Sequence, residues 1–253
     1  ILGMTAHLEG KGCGMIDMAG LAQKGGAVFS HVRIARTPED IHAIRISAGK
    51  ADLILGCDLV VSGSRKVLTS VREGETAFLV NTSEVMPGDF ARNADFSLPT
   101  ERLKQAIVKS AGAERTSFFN ATLAATRLFG NAIAANMFML GMASQKGALP
   151  LTPDSVEEAI RLNGQAVAMN IAAFRWGRKA GHDPQSVQAL VSDQVTEADA
   201  AAEETVAEII DLRAEFLKGY QNRAWATKYR ETLQPLVEAE ELATGAAGSV
   251  SAA

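Results

Sequence analysis

Cysteine is nearly absent: Cys13 and Cys57 are the only two in 253 residues. Two thiols cannot build a disulfide framework, and they fall short of the four that usually hold an iron–sulfur cluster. The compartment this implies is reducing and cytoplasmic. A strong excess of either charge is also missing. A net charge of −4 gives no general electrostatic reason to bind nucleic acid or an anionic membrane. No apolar run reaches the length of a membrane span, and no N-terminal signal pattern is present. The histidines, His7, His31, His42 and His182, are scattered without metal-ligand spacing. No serine sits in a Gly-x-Ser-x-Gly elbow, no Gly-x-Gly-x-x-Gly fingerprint occurs, and no internal repeat is visible.

What remains is material for a core. Hydrophobic residues make up 47% and charged residues 21%, enough for one large domain or a domain with an appendage. The chain opens at Ile1, and "ILGMTAHLEGKGCG" reads as the back half of a helix ended by a glycine-rich turn. That opening predicts a piece of a longer polypeptide.

From about residue 14 to 117 the period keeps changing. "DMAGLAQKGGAVFSHVRI" opens like a helix at Asp17, breaks at Gly25-Gly26, and then alternates as a strand over 27–35. "ADLILGCDLVVSGS" reads as a buried strand followed by a helix from Asp58, and "TAFLVNTS" as a short buried strand ending at Asn81. Pro99 and Thr100, the latter as N-cap, start a helix at Glu101. Strands alternating with helices predict a three-layer α/β/α fold with a mainly parallel sheet.

After about Ser117 helices alone are expected. The stretch from Phe118 to Gly147 reads as a largely buried helix broken near Gly130, with its methionines as core filling. Thr152-Pro153 carries helix-start chemistry, and the segment from Gln165 continues helically to a glycine stop at Gly181. From His182 acids gather, and two amphipathic helices follow. One uses Val206, Ile209, Ile210 and Leu217, and the other Trp225, Tyr229, Leu233 and Leu236. The small polar ending reads as a flexible tail.

Lys24-Gly25-Gly26 is the best candidate site on residue chemistry. Glycines let a backbone approach another group closely, and a lysine meets a phosphate as a point charge. The plainer alternative is a helix C-cap with a solvated lysine. Asn81 at a strand end and Asn136 on an apolar helix are also notable, because a buried amide must find partners. The plain alternative there is local backbone capping. Cys13 and Cys57 read as buried thiols rather than nucleophiles.

"GMIDMAGLAQKGGAVFSHVRIA", with Arg33 on its strand, resembles the gamma-type domain of the 2-oxoacid:ferredoxin oxidoreductases, and most nearly the fused bacterial indolepyruvate ferredoxin oxidoreductases. "ADLILGCDLVV", "LVNTSEVMPGDF", "LFGNAIAANMFMLGMASQKGALPL", "VEEAIRLNG" and "NIAAFRWGRKAG" extend the likeness over residues 1–180. Residues 181–253 resemble the start of the helical region that follows this domain in the fused proteins. Members begin the domain with a strand and a Gly-x-Gly-Gly-x-Gly turn that this sequence does not contain, so the resemblance implies an N-terminally truncated gamma domain.

The resemblance implies an enzyme that oxidatively decarboxylates an arylpyruvate such as indolepyruvate to an acyl-CoA, with ferredoxin as electron acceptor. Its cofactors are thiamine diphosphate, iron–sulfur clusters and coenzyme A, none of them bound by this chain alone. No metal ligand or catalytic residue is assigned within it. The implied cofactor-facing residues are Gln23, Lys24, Gly25, Gly26 and Asn136. The implied partners are other domains or subunits of the same enzyme and ferredoxin, in a homo-oligomeric assembly, with neither nucleic acid nor membrane. A non-catalytic scaffold and a Rossmann-type nucleotide-binding oxidoreductase are the alternatives, and the missing glycine fingerprint speaks against the second.

Overall fold

The structure, a computed structural model, describes residues 1–18, 28–83, 99–198, 206–220 and 222–244. It divides into two compact units, Ile1–Ser192 and Asp193–Ala253.

The first unit begins with α1 (Leu2–Leu8), which ends before Gly10 at φ +67°, the left-handed turn that glycine permits. Then β1 (Gly12–Met18) pairs antiparallel with β2 (Phe29–Ala35), from Gly12↔Ala35 to Met18↔Phe29. The helix expected to open at Asp17 is corrected at its start, since Asp17 and Met18 complete a strand, and the rest of that expectation lies outside the described residues. Pairing with β2 outweighs the local preference of these two residues, which is a weak prior beside tertiary context.

The central sheet is parallel, in the order β3 (Leu53–Gly56), β4 (Ala77–Asn81), β5 (Thr116–Phe119). Side chains alternate across it. Leu53, Leu55, Ala77 and Leu79 pack with α5 (Ala121–Phe129), α6 (Ala135–Gln145) and α8 (Val167–His182). Ile54, Phe78, Val80 and Phe118 pack on the opposite face with α2 (Leu59–Ser62) and α4 (Thr100–Ala111). Helices thus cover both faces, as the three-layer expectation requires. The antiparallel β1–β2 pair forms a separate two-stranded sheet.

Several boundaries follow the local chemistry. Asp58 caps α2 by accepting from the Val61 N–H at 2.7 Å. Gly130 takes the left-handed conformation that ends α5, and Thr152 with Pro153 opens α7 (Pro153–Asn163). Others differ. Pro99 rather than Thr100 is the N-cap of α4, and β5 runs on to Phe119. Gly181 does not stop α8, which continues to His182. Its missing side chain serves packing instead, because a Cβ there would stand 3.0 Å from the Met142 carbonyl oxygen of α6.

Beyond α8 lies α9 (Pro184–Ala198). In the second unit, α10 (Val206–Tyr220) and α11 (Arg223–Thr244) pack together as a helical hairpin. Ala214 and Ala226 are buried, and Arg230 donates to Asp211 at 2.6 Å. The expected amphipathic faces need one correction. Tyr229 and Leu233 are half-buried, but Trp225 and Leu236 are exposed at 46% and 51%.

Candidate functional site

In open parallel sheets, ligand crevices lie beyond the carboxyl ends of the strands. Here that edge is tied together by Asn81, the last residue of β4, which is 4% exposed. Its amide nitrogen donates to the Cys57 carbonyl after β3 at 3.3 Å and to the Thr122 hydroxyl of α5 at 2.8 Å. Its oxygen accepts from the backbone N–H groups of Ser83, Ala121 and Thr122 at 3.3, 3.0 and 3.4 Å. Asn120 takes the next N–H, that of Leu123, at 2.9 Å. The first donors of α5 are thus occupied by side chains, so this helix start has little left to offer an anion. Local capping, the plainer reading of Asn81, is what the geometry supports.

The β1–β2 hairpin makes a second locus. Its ladder ends at Met18↔Phe29, so the connection 19–27 leaves and returns at adjacent positions. Beside it, the Ser30 hydroxyl donates to Asp17 at 2.6 Å, and the Lys66 ammonium stands 4.4 Å from the centre of the Phe29 ring. Lys66 arrives on α3 (Arg65–Leu68). His31 Nδ1 accepts from the Ile46 N–H at 3.1 Å. Burial, then the positive charges of Arg45 and Lys66, push the His31 pKa down. His31 therefore resists taking up a proton, first because it is desolvated and then because Arg45 and Lys66 bring positive charge to it.

Gln23, Lys24, Gly25 and Gly26 lie within that connection, outside the described residues. Asn136 is exposed on α6. The reasoning that a buried amide there must find partners does not apply, because its position on the helix faces solvent. Cys57 is exposed and Cys13 half-buried, which corrects the expectation of two buried thiols. Protein packed around the Cys57 sulfur, then the Asp58 carboxylate, raise its pKa and keep it a thiol, so exposure does not make it a nucleophile. Among the described residues no His, Cys, Asp and Glu group is placed to hold a metal ion. No helix among them is long and apolar enough to cross a membrane.

Lys66 and Arg45 were not singled out from the sequence. Nothing local marks them, and it is the folding of α3 and the 41–50 segment onto β2 that brings their charge to His31.

Known proteins support the same domain. The family described as pyruvate ferredoxin/flavodoxin oxidoreductase matches residues 1–180. An indolepyruvate oxidoreductase subunit IorB of Methanothermobacter thermautotrophicus is 29% identical over 179 residues, 70% of this chain and 86% of that protein. The protein of the same name from Thermococcus kodakarensis is 24% identical over 185 residues, covering 72% and 88%. Among solved structures, pyruvate oxidoreductase subunit PORC of Thermotoga maritima matches with a TM-score of 0.47 at 18% identity, covering 70% and 84%. The gamma subunit of a keto/oxoacid ferredoxin oxidoreductase from Geobacter sulfurreducens matches with 0.47 at 19%, covering 70% and 85%. With most of its length inside the family match, the chain belongs to the pyruvate ferredoxin/flavodoxin oxidoreductase family and is part of an oxidoreductase.

Proposed function

We propose that the chain is the gamma-type component of an enzyme converting an indolepyruvate-like arylpyruvate, coenzyme A and two oxidised ferredoxins into acyl-CoA, carbon dioxide, two reduced ferredoxins and a proton. The observation that carries this reading is the family match over residues 1–180, with relatives named as indolepyruvate oxidoreductase subunits covered over most of their own length. Residues 1–180 would be the gamma-type domain and 181–253 its helical extension, in a cytoplasmic enzyme with more than one copy of the chain.

Two cysteines leave the clusters to other parts of the enzyme. Thiamine diphosphate, bound elsewhere, supplies the electron sink for decarboxylation. This chain's share is docking and coenzyme positioning. Met15, Ile16 and Val28 on the hairpin are 56%, 42% and 61% exposed, and they offer apolar surface to a neighbouring domain. Gln23, Lys24, Gly25 and Gly26 fall in the sequence between β1 and β2, and Lys66 and Arg45 bring positive charge to β2. That local excess of positive charge suits the phosphates of coenzyme A. Exposed on α6, Asn136 is free to contribute a neutral donor and acceptor.

The test is the Lys24→Ala variant of the complete enzyme. A phosphate contact predicts a rise of roughly tenfold in the Michaelis constant for coenzyme A, from the loss of a charge-assisted hydrogen bond of about 1.5 kcal/mol. Stability should move by less than about 0.5 kcal/mol. An unchanged constant would remove the coenzyme role, and lower stability beside an unchanged constant would assign Lys24 to domain packing.

A further inference from the structure

Residues 41–50 cross one face of the β1–β2 hairpin as an irregular strap. Side chains alternate along the ladder, so Gly14, Ile16, His31 and Arg33 share that face, while Asp17 and Ser30 pair on the other. A Cβ on Gly14 would stand 3.1 Å from Ile44 and 3.3 Å from Ile41, so both isoleucines lie directly over it. Ile41 is fixed at one end by its N–H to the Pro38 carbonyl, and Gly49 at the other by its N–H to the Thr69 carbonyl. Between those ends, among the described residues, one hydrogen bond joins the strap to another element: the Ile46 N–H donates to His31 Nδ1 at 3.1 Å.

That acceptor exists only while His31 is neutral. A proton on Nδ1 turns it into a donor that faces the Ile46 N–H, so the bond is lost outright rather than weakened. The charged groups around the ring oppose the cation further. Arg45 comes from the strap, Lys66 from α3, and Arg33 lies two residues along β2 on the same face. Asp17 is bonded to Ser30 on the other face, and Asp40 is held by Thr37. Closure is also shallow, because the Nε of Arg33, the ladder partner of Gly14, is buried without a hydrogen-bond partner among the described residues. We propose that His31 is an acid-released latch: neutral, it holds the strap closed over Gly14, and protonated, it lets go of Ile46 so that the strap lifts from this face.

In the closed state burial, then the charges of Arg45 and Lys66, hold His31 below its ordinary 6.5, and an open strap returns it toward that value. Opening therefore takes up a proton. The strap stays closed above about pH 6.5 and opens progressively below it, by up to about tenfold in the opening constant per pH unit. Lifting takes Ile41 and Ile44 off Gly14 and gives water access to His31 and Arg33, while the β1–β2 ladder stays paired.

Amide exchange of the whole chain, resolved by residue between about pH 7.5 and pH 5 and corrected for intrinsic rates, is the test. Ile46 should be protected at the upper end and lose that protection steeply with acid, while amides of β4 and α6 keep theirs. His31→Asn, whose amide oxygen accepts the same N–H but does not titrate, should keep Ile46 protected across the range. His31→Leu should leave it unprotected throughout. His42→Asn removes the strap's own histidine, which is exposed, and should leave the pH dependence in place. An Ile46 amide unprotected at neutral pH, or protection that does not change with pH, would overturn the inference. So would a dependence that survives in His31→Asn or vanishes in His42→Asn, or a loss in step with β4 and α6.

Discussion

Gly177 of α8 lies so close to Phe138 of α6 that a Cβ on it would stand 1.9 Å from the Phe138 carbonyl oxygen. The contact is reciprocal, since a Cβ on Gly141 of α6 would stand 2.0 Å from the Phe174 carbonyl oxygen of α8. The two helices meet backbone to backbone, and the side chains of Phe138 and Phe174, fully buried, fill the space on either side of the crossing.

Gly177→Ala should therefore destabilise, although helix propensity alone would favour alanine by about 1 kcal/mol. Overpacking of this kind costs about 1–3 kcal/mol and exceeds that where the neighbour is backbone that cannot turn aside. Urea denaturation measures it. Gly181→Ala, whose Cβ would meet its nearest neighbours at 3.0 Å, should cost less. A Gly177→Ala protein as stable as wild type would show that the crossing is looser than described.

Asn81 makes a second test. Asn81→Ala leaves the Ala121 and Thr122 N–H groups without their buried acceptor and cuts the tie between β4 and the segment after β3. The expected loss is about 1–3 kcal/mol, the cost of unsatisfied buried donors. Amide exchange at Ala121 and Thr122 should rise more than elsewhere in α5, which separates a local capping loss from general softening.

Glu9 ties the turn after α1 to the start of α7. It accepts from the Thr152 N–H at 2.6 Å and hydroxyl at 2.8 Å, while Lys11 pairs with it at 2.7 Å. Burial pushes its pKa up, but the bonds from Lys11, Thr152 and Ser155 outweigh that and hold it at about 2, against an ordinary 4.5. Because the folded value is the lower one, this stabilisation is complete above about pH 4.5 and is lost as the pH falls toward 2. Glu9→Gln should cost about 1–2 kcal/mol at pH 7, and the gap to wild type should close as acid protonates Glu9. Parallel stability curves down to pH 2 would exclude the assignment.

His31 should titrate below 6.5, with its neutral form protonated at Nε2, since Nδ1 accepts the Ile46 N–H. Being lowered in the folded state, its contribution to stability is present above that ordinary value and is lost as the pH drops through the folded pKa. Nitrogen-15 chemical shifts of the ring, followed against pH, report both tautomer and midpoint. Lys66→Ala should raise the midpoint by removing one of the positive charges.

How much was legible in the sequence depended on how local each signal was. Asp58, Gly130 and Thr152-Pro153 marked helix ends correctly because capping needs only neighbours within a turn. The buried strands β3 and β4 stood out as apolar runs between turn residues. Residues 12–18 did not. Their strand exists because of a partner on the far side of the 19–27 connection, and Asp17 gains its hydrogen bond only from Ser30 across that ladder. The exposed side of Asn136 was likewise invisible, because an apolar window does not say which residue points outward. Within the candidate site, the Lys24 block was visible as a motif, whereas Lys66 and Arg45 reach His31 only through tertiary folding.

The Met18↔Phe29 rung has an evolutionary consequence. Because the ladder already holds both ends of 19–27 together, the stability of the fold is nearly indifferent to what lies between them. Doubling the length of such a connection costs only about 0.6 kcal/mol in closure entropy. Insertions and substitutions there should therefore be tolerated while the sheet and its helices stay as they are.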